Sequence, residues 1–168
     1  MQDSSILLKA VSLNEIEKIA ELAKVIWAKH YPEIIGQAQV DYMLQNMYNH
    51  ESLLQQINEK GQQFYFIISN KEIIGFISVT KEKNDTWMLN KFYVLEEKTG
   101  KGTGTIVLEE IKKTIQPKKI HLTVNRKNYK SINFYFKNNF KIDSLIEINI
   151  GNGFVMDDFV MVWHKASS

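Results

Sequence analysis

Hydrophobic positions follow two rhythms along this chain. A short apolar segment, Ile6 to Val11, reads as an opening strand. Ile16, Ile19, Leu22, Ala23 and Ile26 then recur at helical spacing, and Ser12 with Glu15 makes a capping-box pattern ahead of them. The spacing predicts a helix over 13–29, stopped by Pro32. Further helices are predicted over 40–48 and 52–60, the latter stopped by Gly61. From Gln63 the rhythm shortens. Residues 64–68, 73–79 and 87–94 are rich in aromatic and β-branched side chains, with turn residues Asn70-Lys71 and Asn84-Asp85 between them. They read as a meander of antiparallel strands.

Helical spacing returns at Ile106, Val107, Leu108 and Ile111, and Pro117 ends that segment. A strand is predicted over 120–124. Because a helix joins it to the strand before, the two should run parallel. Ser131, Ile132, Phe134, Tyr135 and Phe136 suggest a short helix, ended by Asn138-Asn139. Two last strands, 140–150 and 154–163, flank Gly151-Asn152-Gly153, a strong hairpin signal.

With 168 residues the chain is long enough for one domain with a sizeable core, taken here as 1–168. Twenty-one basic against nineteen acidic residues leave a net charge of +2, which gives no general reason to expect nucleic acid as a partner. The absence of cysteine excludes disulfides, thiolate zinc sites and a cysteine nucleophile. His30 and His50 are not at metal-ligand spacing with a carboxylate cluster, so no metal is expected. No apolar run reaches the roughly 18 residues that span a bilayer. The N-terminal Met1-Gln2-Asp3-Ser4 lacks a basic, signal-like start. A cytoplasmic protein without a membrane partner is the expectation.

The candidate chemistry begins at Phe92-Tyr93-Val94 and continues through Lys98, Thr99, Gly100, Lys101, Gly102, Thr103, Gly104 and Thr105. The order is strand, glycine-rich loop, helix. A helix start leaves N–H groups unpartnered and carries partial positive charge, and glycines let a ligand approach the backbone. Such a loop suits phosphate. No Gly-Lys-Ser/Thr follows, which argues against a nucleotide triphosphatase. A second concentration of interest is the aromatic and methionine-rich stretch that holds Trp27, His30, Tyr31, Tyr42, Met43, Met47, Tyr48 and His50. It reads either as helix packing or as one wall of a substrate pocket.

Two motifs make the chain resemble the GNAT (GCN5-related N-acetyltransferase) superfamily from about Ile6 to about Trp163. The first is the loop. The family pattern runs from a β-branched residue through Gln or Arg to Gly-x-Gly; Val94, Gly102 and Gly104 match, and Thr99 departs at the Gln/Arg position. The second is Asn128 to Phe140, where Asn128 and Phe134-Tyr135 match, Ser131 stands where Ala is common, and Asn139 where Gly is usual.

The resemblance implies an α/β (α+β) fold with a mixed central sheet of about seven strands, flanked by helices, and a V-shaped acetyl-CoA slot. It implies acetyl-CoA as cofactor, with backbone at Phe92 and Val94 along the pantetheine and the loop amides on the pyrophosphate. Lys98 or Lys101 would supply the charge that Thr99 lacks. Asn128 would bond the pantetheine or its loop, or cap a helix. Tyr135 would be the general acid that protonates the leaving thiolate.

Some relatives carry a glutamate base where this chain has Asn90, which cannot take a proton. That leaves water, His30, His121 or Tyr93 as candidates. The likeness is greatest to polyamine (spermine/spermidine)-type acetyltransferases, which implies a small-molecule amine substrate. Trp27, Tyr31, Asn90 and Asp157 are the pocket candidates, of the Asp157-Asp158 pair at most one facing the cleft. A homodimer is compatible with the family. Two alternatives stay open: acetylation of protein amines, and a non-catalytic acyl-CoA-binding module.

Overall fold

The computed structural model describes residues 5–167; Met1 to Ser4 and Ser168, where the signal-peptide reading and the ends of the 1–168 domain fall, lie outside the described residues. The strands are β1 (Ile6–Ala10), β2 (Gln63–Ser69), β3 (Glu72–Lys81), β4 (Thr86–Val94), β5 (Lys119–Asn125), β6 (Lys141–Gly151) and β7 (Phe154–His164). The helices are α1 (Ile16–His30), α2 (Pro32–Ile35), α3 (Gln37–Met47), α4 (His50–Asn58), α5 (Thr103–Ile115) and α6 (Tyr129–Lys137). The seven strands hydrogen-bond in the order β1-β2-β3-β4-β5-β7-β6. That is the mixed, helix-flanked sheet expected from the sequence. The chain divides into two compact units, residues 1–80 with 90–116, and residues 81–89 with 117–168.

In the first unit β1 pairs antiparallel with β2, and β2 with β3. The turn between β2 and β3 places Asn70 at φ 51° and Lys71 at φ 68°. Both central residues are left-handed, as a type I′ turn requires. Ile74 to Val79 of β3 is buried without a break, so both of its faces are covered. Gly75 is obligatory there: a Cβ would stand 2.1 Å from the Tyr93 carbonyl oxygen.

α1 buries Ile16, Ile19, Leu22, Ala23, Ile26 and Trp27, the stripe its spacing predicts. The Ser12–Glu15 capping box forms, with Glu15 accepting from the Ser12 N–H at 3.2 Å. It opens a 3₁₀ turn, so the α-helix starts at Ile16 rather than at residue 13. Pro32 does more than stop α1. It starts the unforeseen α2 as its first residue, where a missing N–H costs nothing. α4 starts before Ser52, because the Asn49 side chain caps it by accepting from the Ser52 N–H at 2.8 Å. α5 buries Val107, Leu108 and Ile111 and leaves Ile106 41% exposed.

In the second unit β4 and β5 run parallel, pairing Thr86–Lys119, Trp87–Ile120 and Met88–His121. β5 alternates, with Ile120, Leu122 and Val124 buried. The final hairpin turns at Asn152 (φ 53°) and Gly153 (φ 77°). Its second strand, β7, inserts between β5 and β6 and is antiparallel to both. β6 is left at the edge of the sheet, which explains why it is largely exposed although it carries Ile142, Leu145, Ile146, Ile148 and Ile150.

Candidate functional site

The functional candidates fall into separate sets in the two units. In the first, β4 delivers Asn90 to Val94, and the chain then makes a 3₁₀ turn over Glu96–Lys98. Gly100 (φ 92°), Lys101 (φ 52°) and Gly102 (φ 77°) follow, three successive left-handed residues that lead into α5. For Lys101 that conformation is strained, at a cost of about 1 kcal/mol. The turn spends some amides on itself. The Thr99 N–H goes to the Glu96 carbonyl at 3.1 Å and the Thr103 N–H to the Gly100 carbonyl at 3.1 Å. Gly100, Lys101 and Gly102 have no backbone acceptor for their N–H groups among the described residues. Successive amides of this kind make a concave anion site.

Two sequence-predicted roles in this loop therefore narrow. The Thr99 hydroxyl donates to the Glu96 carbonyl at 2.7 Å, and the Thr103 hydroxyl to the Gly100 carbonyl at 2.8 Å. Neither side chain is held toward a ligand. Lys98 and Lys101 also differ. Lys98 pairs with Glu72 at 2.8 Å, and that carboxylate raises its pKa. Lys101 has no ion-pair partner among the described residues.

The same unit assembles the aromatic wall. Trp27 stacks on Tyr31 at 4.5 Å between ring centroids and meets Tyr48 and Tyr93, each at 5.7 Å. Phe76 closes the group at 5.5 Å from Tyr93 and 6.3 Å from Tyr48. Burial pushes the Tyr48 phenol well above its ordinary pKa, and Tyr31 adds to the shift. The Trp27 indole N–H lies near the Tyr48 hydroxyl and lowers the shift slightly. That contact is electrostatic only, because Nε1 makes no hydrogen bond of proper geometry and is a buried, unpartnered donor. Trp27, Tyr31 and Tyr93 are thus brought together, joined by Tyr48 and Phe76.

Asn90 donates to the Thr80 hydroxyl at 2.8 Å. Its neighbour Lys91 is the residue that sequence reasoning missed. Lys91 donates to Gln56 Oε1 and to Gln62 Oε1, the latter at 3.0 Å. Its Nζ lies 5.8 Å from the Tyr48 ring centre and 5.3 Å from that of Phe64. Part of the residue still meets solvent, but protein surrounds the amine closely. Desolvation, helped by Lys60, lowers its pKa to about 7. A signal was present: Lys91 is the one charged residue in the strand sequence Trp87 to Val94.

In the second unit Asn128 caps α6, its side chain accepting from the Ser131 N–H at 3.3 Å. Tyr135 is 8% exposed and edge-on to Phe134 and Phe140, at 5.2 and 5.3 Å. Asn139 ends the helix at φ 66°, and the Phe140 N–H returns to the Tyr135 carbonyl at 3.0 Å, a Schellman closure. Asn at this position thus does what Gly usually does.

Asp157 is half-exposed and held by Arg126 at 2.7 Å. The buried member of the acidic pair is Asp158, whose carboxyl burial raises to about 6, partly offset by the nearby Thr123 hydroxyl. Of the other histidines considered, His121 bonds Glu82 at 2.8 Å in this unit. In the first unit His50 bonds Glu17 at 2.7 Å, and His30 packs edge-on against Tyr31 at 5.2 Å. No helix among the described residues is long and apolar enough to cross a membrane.

Residues 31–155 match the family model described as an acetyltransferase (GNAT) domain. A curated relative, the spermidine N(1)-acetyltransferase of Thermoplasma acidophilum, is 28% identical over 160 residues, 91% of this chain and 96% of that protein. Among solved structures, the PaiA N-acetyltransferase of the same organism, in complex with coenzyme A, is similar with a TM-score of 0.78 at 24% identity, covering 96% of this chain and 99% of that one. A GNAT protein from Rhodopseudomonas palustris gives 0.76 at 14% identity, covering 98% and 99%. At those identities the two structures speak for the fold. The family model spans the loop, Asn128 and Tyr135 alike, and on that match the chain belongs to the GNAT acetyltransferase domain family.

Proposed function

We propose that this chain is an acetyl-CoA-dependent N-acetyltransferase whose acceptor is the primary amine of a small, polyamine-type molecule. The observation that carries the reading is the run Gly100-Lys101-Gly102, with positive φ and free N–H groups at the head of α5. The family match from 31 to 155 includes residues of both compact units, which supports reading 1–168 as one domain in sequence.

When bound, acetyl-CoA supplies an activated acyl thioester. The chain's residues do the rest. The amides of Gly100, Lys101, Gly102, Gly104 and Thr105 take the pyrophosphate, with the Lys101 ammonium as the charged contact. Backbone groups of Phe92, Tyr93 and Val94 align the pantetheine amides as an added strand would. The Tyr135 hydroxyl donates to the departing thiolate. Asn128 acts by capping α6, which fixes the helix that carries Tyr135.

For the acceptor, Trp27, Tyr31 and Tyr93 offer aromatic faces suited to an alkylammonium. The spermidine acetyltransferase relative, matched over nearly its whole length, supports the same substrate class. Asn90 and Asp157 remain peripheral pocket candidates, since Thr80 and Arg126 already engage them. Exposed Ile142, Leu145 and Ile148 on the edge strand β6 support the homodimer reading. A cytoplasmic location is part of the same proposal.

The test is thiol release across a panel of polyamines, lysine peptides and aminoglycosides. Turnover strongest with polyamines is expected; no turnover with any amine would sink the proposal. Tyr135→Phe should lose rate while binding of coenzyme A by calorimetry holds.

A further inference from the structure

Arg126 and Asp157 form a clamp at the point where β5 hands over to α6. The β5–β7 register ends at Asn125–Asp158. One residue further on, the Arg126 N–H still donates to the Asp157 carbonyl at 3.1 Å, and its guanidinium donates to the Asp157 carboxylate at 2.7 Å. A backbone bond and a side-chain bond to the same residue hold Arg126 in both position and direction. The turn then closes on Asn125. The Lys127 N–H donates to the Asn125 side-chain oxygen at 2.9 Å, and the Asn128 N–H to the Asn125 carbonyl at 2.9 Å. Three successive N–H groups between the strand and the helix are therefore spent, which fixes the path of the connection. Asn128 next caps α6, and Tyr135 lies on the second turn of that helix. The pair also has an electrostatic reason to form. Glu147 of β6 stands directly opposite Asp157, and like charges facing each other across a ladder repel. The guanidinium at Asp157 offsets that repulsion.

We propose that Arg126 and Asp157 are positioning residues for acetyl transfer: their ion pair sets the direction in which α6 leaves the sheet, and through it the place of the Tyr135 hydroxyl. This rests on the acid role given to Tyr135 above. Neither residue touches the reacting atoms. Their side chains are 46% and 47% exposed, and an ion pair so open to solvent adds little to global stability. Proton transfer is more demanding, because donor and acceptor must stay within hydrogen-bond reach of each other. The two effects separate: loss of the pair slows turnover while the fold melts near its usual temperature.

The experiment compares Arg126→Gln, Asp157→Asn and the two together, in steady-state kinetics with acetyl-CoA and a polyamine and in thermal melting. Each single variant should lose about threefold to tenfold in kcat, with the amine KM and calorimetric binding of coenzyme A near wild type. The double variant should be no worse than either single one, as expected for partners in one interaction. Exchanging the charges, Arg126→Asp with Asp157→Arg, should recover most of the rate. In a Tyr135→Phe background the same substitutions should cost nothing further. A raised amine KM in Asp157→Asn, with Arg126→Gln at the wild-type rate, makes Asp157 a substrate contact and overturns the proposal. Additive losses in the double variant, or a further loss in the Tyr135→Phe background, overturn it as well. A Tyr135→Phe enzyme of undiminished rate overturns instead the acid role beneath it.

Discussion

Replacing Asp158 by Asn should stabilise this protein, and only above a definite pH. Asp158 lies on β7, 3% exposed. Burial raises its carboxyl from 3.8 to about 6, Asp157 adds to the effect, and the Thr123 hydroxyl opposes it. The folded state therefore prefers the protonated acid. The contribution to stability is fully present below the unfolded pKa and is lost as pH rises through the folded one, so the window runs from about 4 to about 6. A shift of about two pKa units corresponds to roughly 3 kcal/mol at most, since each unit is worth about 1.4 kcal/mol. Asn is neutral at every pH, nearly isosteric, and keeps an oxygen for Thr123. Relative to wild type, Asp158→Asn should gain about 1–3 kcal/mol at about pH 8 and little at about pH 4. Urea unfolding at the two pH values measures this directly. An equal difference at both, or a less stable variant at the higher pH, would refute the argument that desolvation dominates at this carboxyl.

Other substitutions probe other parts of the structure. Lys101→Ala should weaken coenzyme A binding more than Lys98→Ala, because Glu72 already holds Lys98, and calorimetry at two salt concentrations would show equal losses if the distinction is wrong. Gly75→Ala must move the β3–β4 backbone to relieve a 2.1 Å approach, and a cost of about 1–3 kcal/mol or more is expected; a wild-type melting curve would contradict it. Asn128→Ala removes the α6 cap and should cost about 1 kcal/mol in thermal unfolding, with Asn128→Asp largely restoring it.

The order of elements and the identity of the loop were written in the sequence, for local physical reasons. The α1 stripe, the capping box at Ser12, the turns at Asn70-Lys71 and Asn152-Gly153, and the glycines between β4 and α5 each depend on residues close together in the chain. Asn139 likewise declared itself as a left-handed helix end. Boundaries were less legible where a side chain has two uses. Pro32 ends one helix and starts another, and Ser52 is the partner of a cap at Asn49.

The tertiary structure decided what depends on who stands opposite. Only pairing between distant strands sets β7 inside β6 and leaves β6 as an exposed edge. Only packing distinguishes Asp158, buried and protonated more readily, from Asp157, held by Arg126. Only folding spends the Thr99 and Thr103 groups inside their own turn and leaves the neighbouring amides open. Lys91 shows the same division. Its charge within an apolar strand was visible, but the burial that lowers its pKa to about 7 is set by packing beside Gln56, Gln62, Tyr48 and Phe64, residues 27 to 43 positions earlier along the chain that meet it in space.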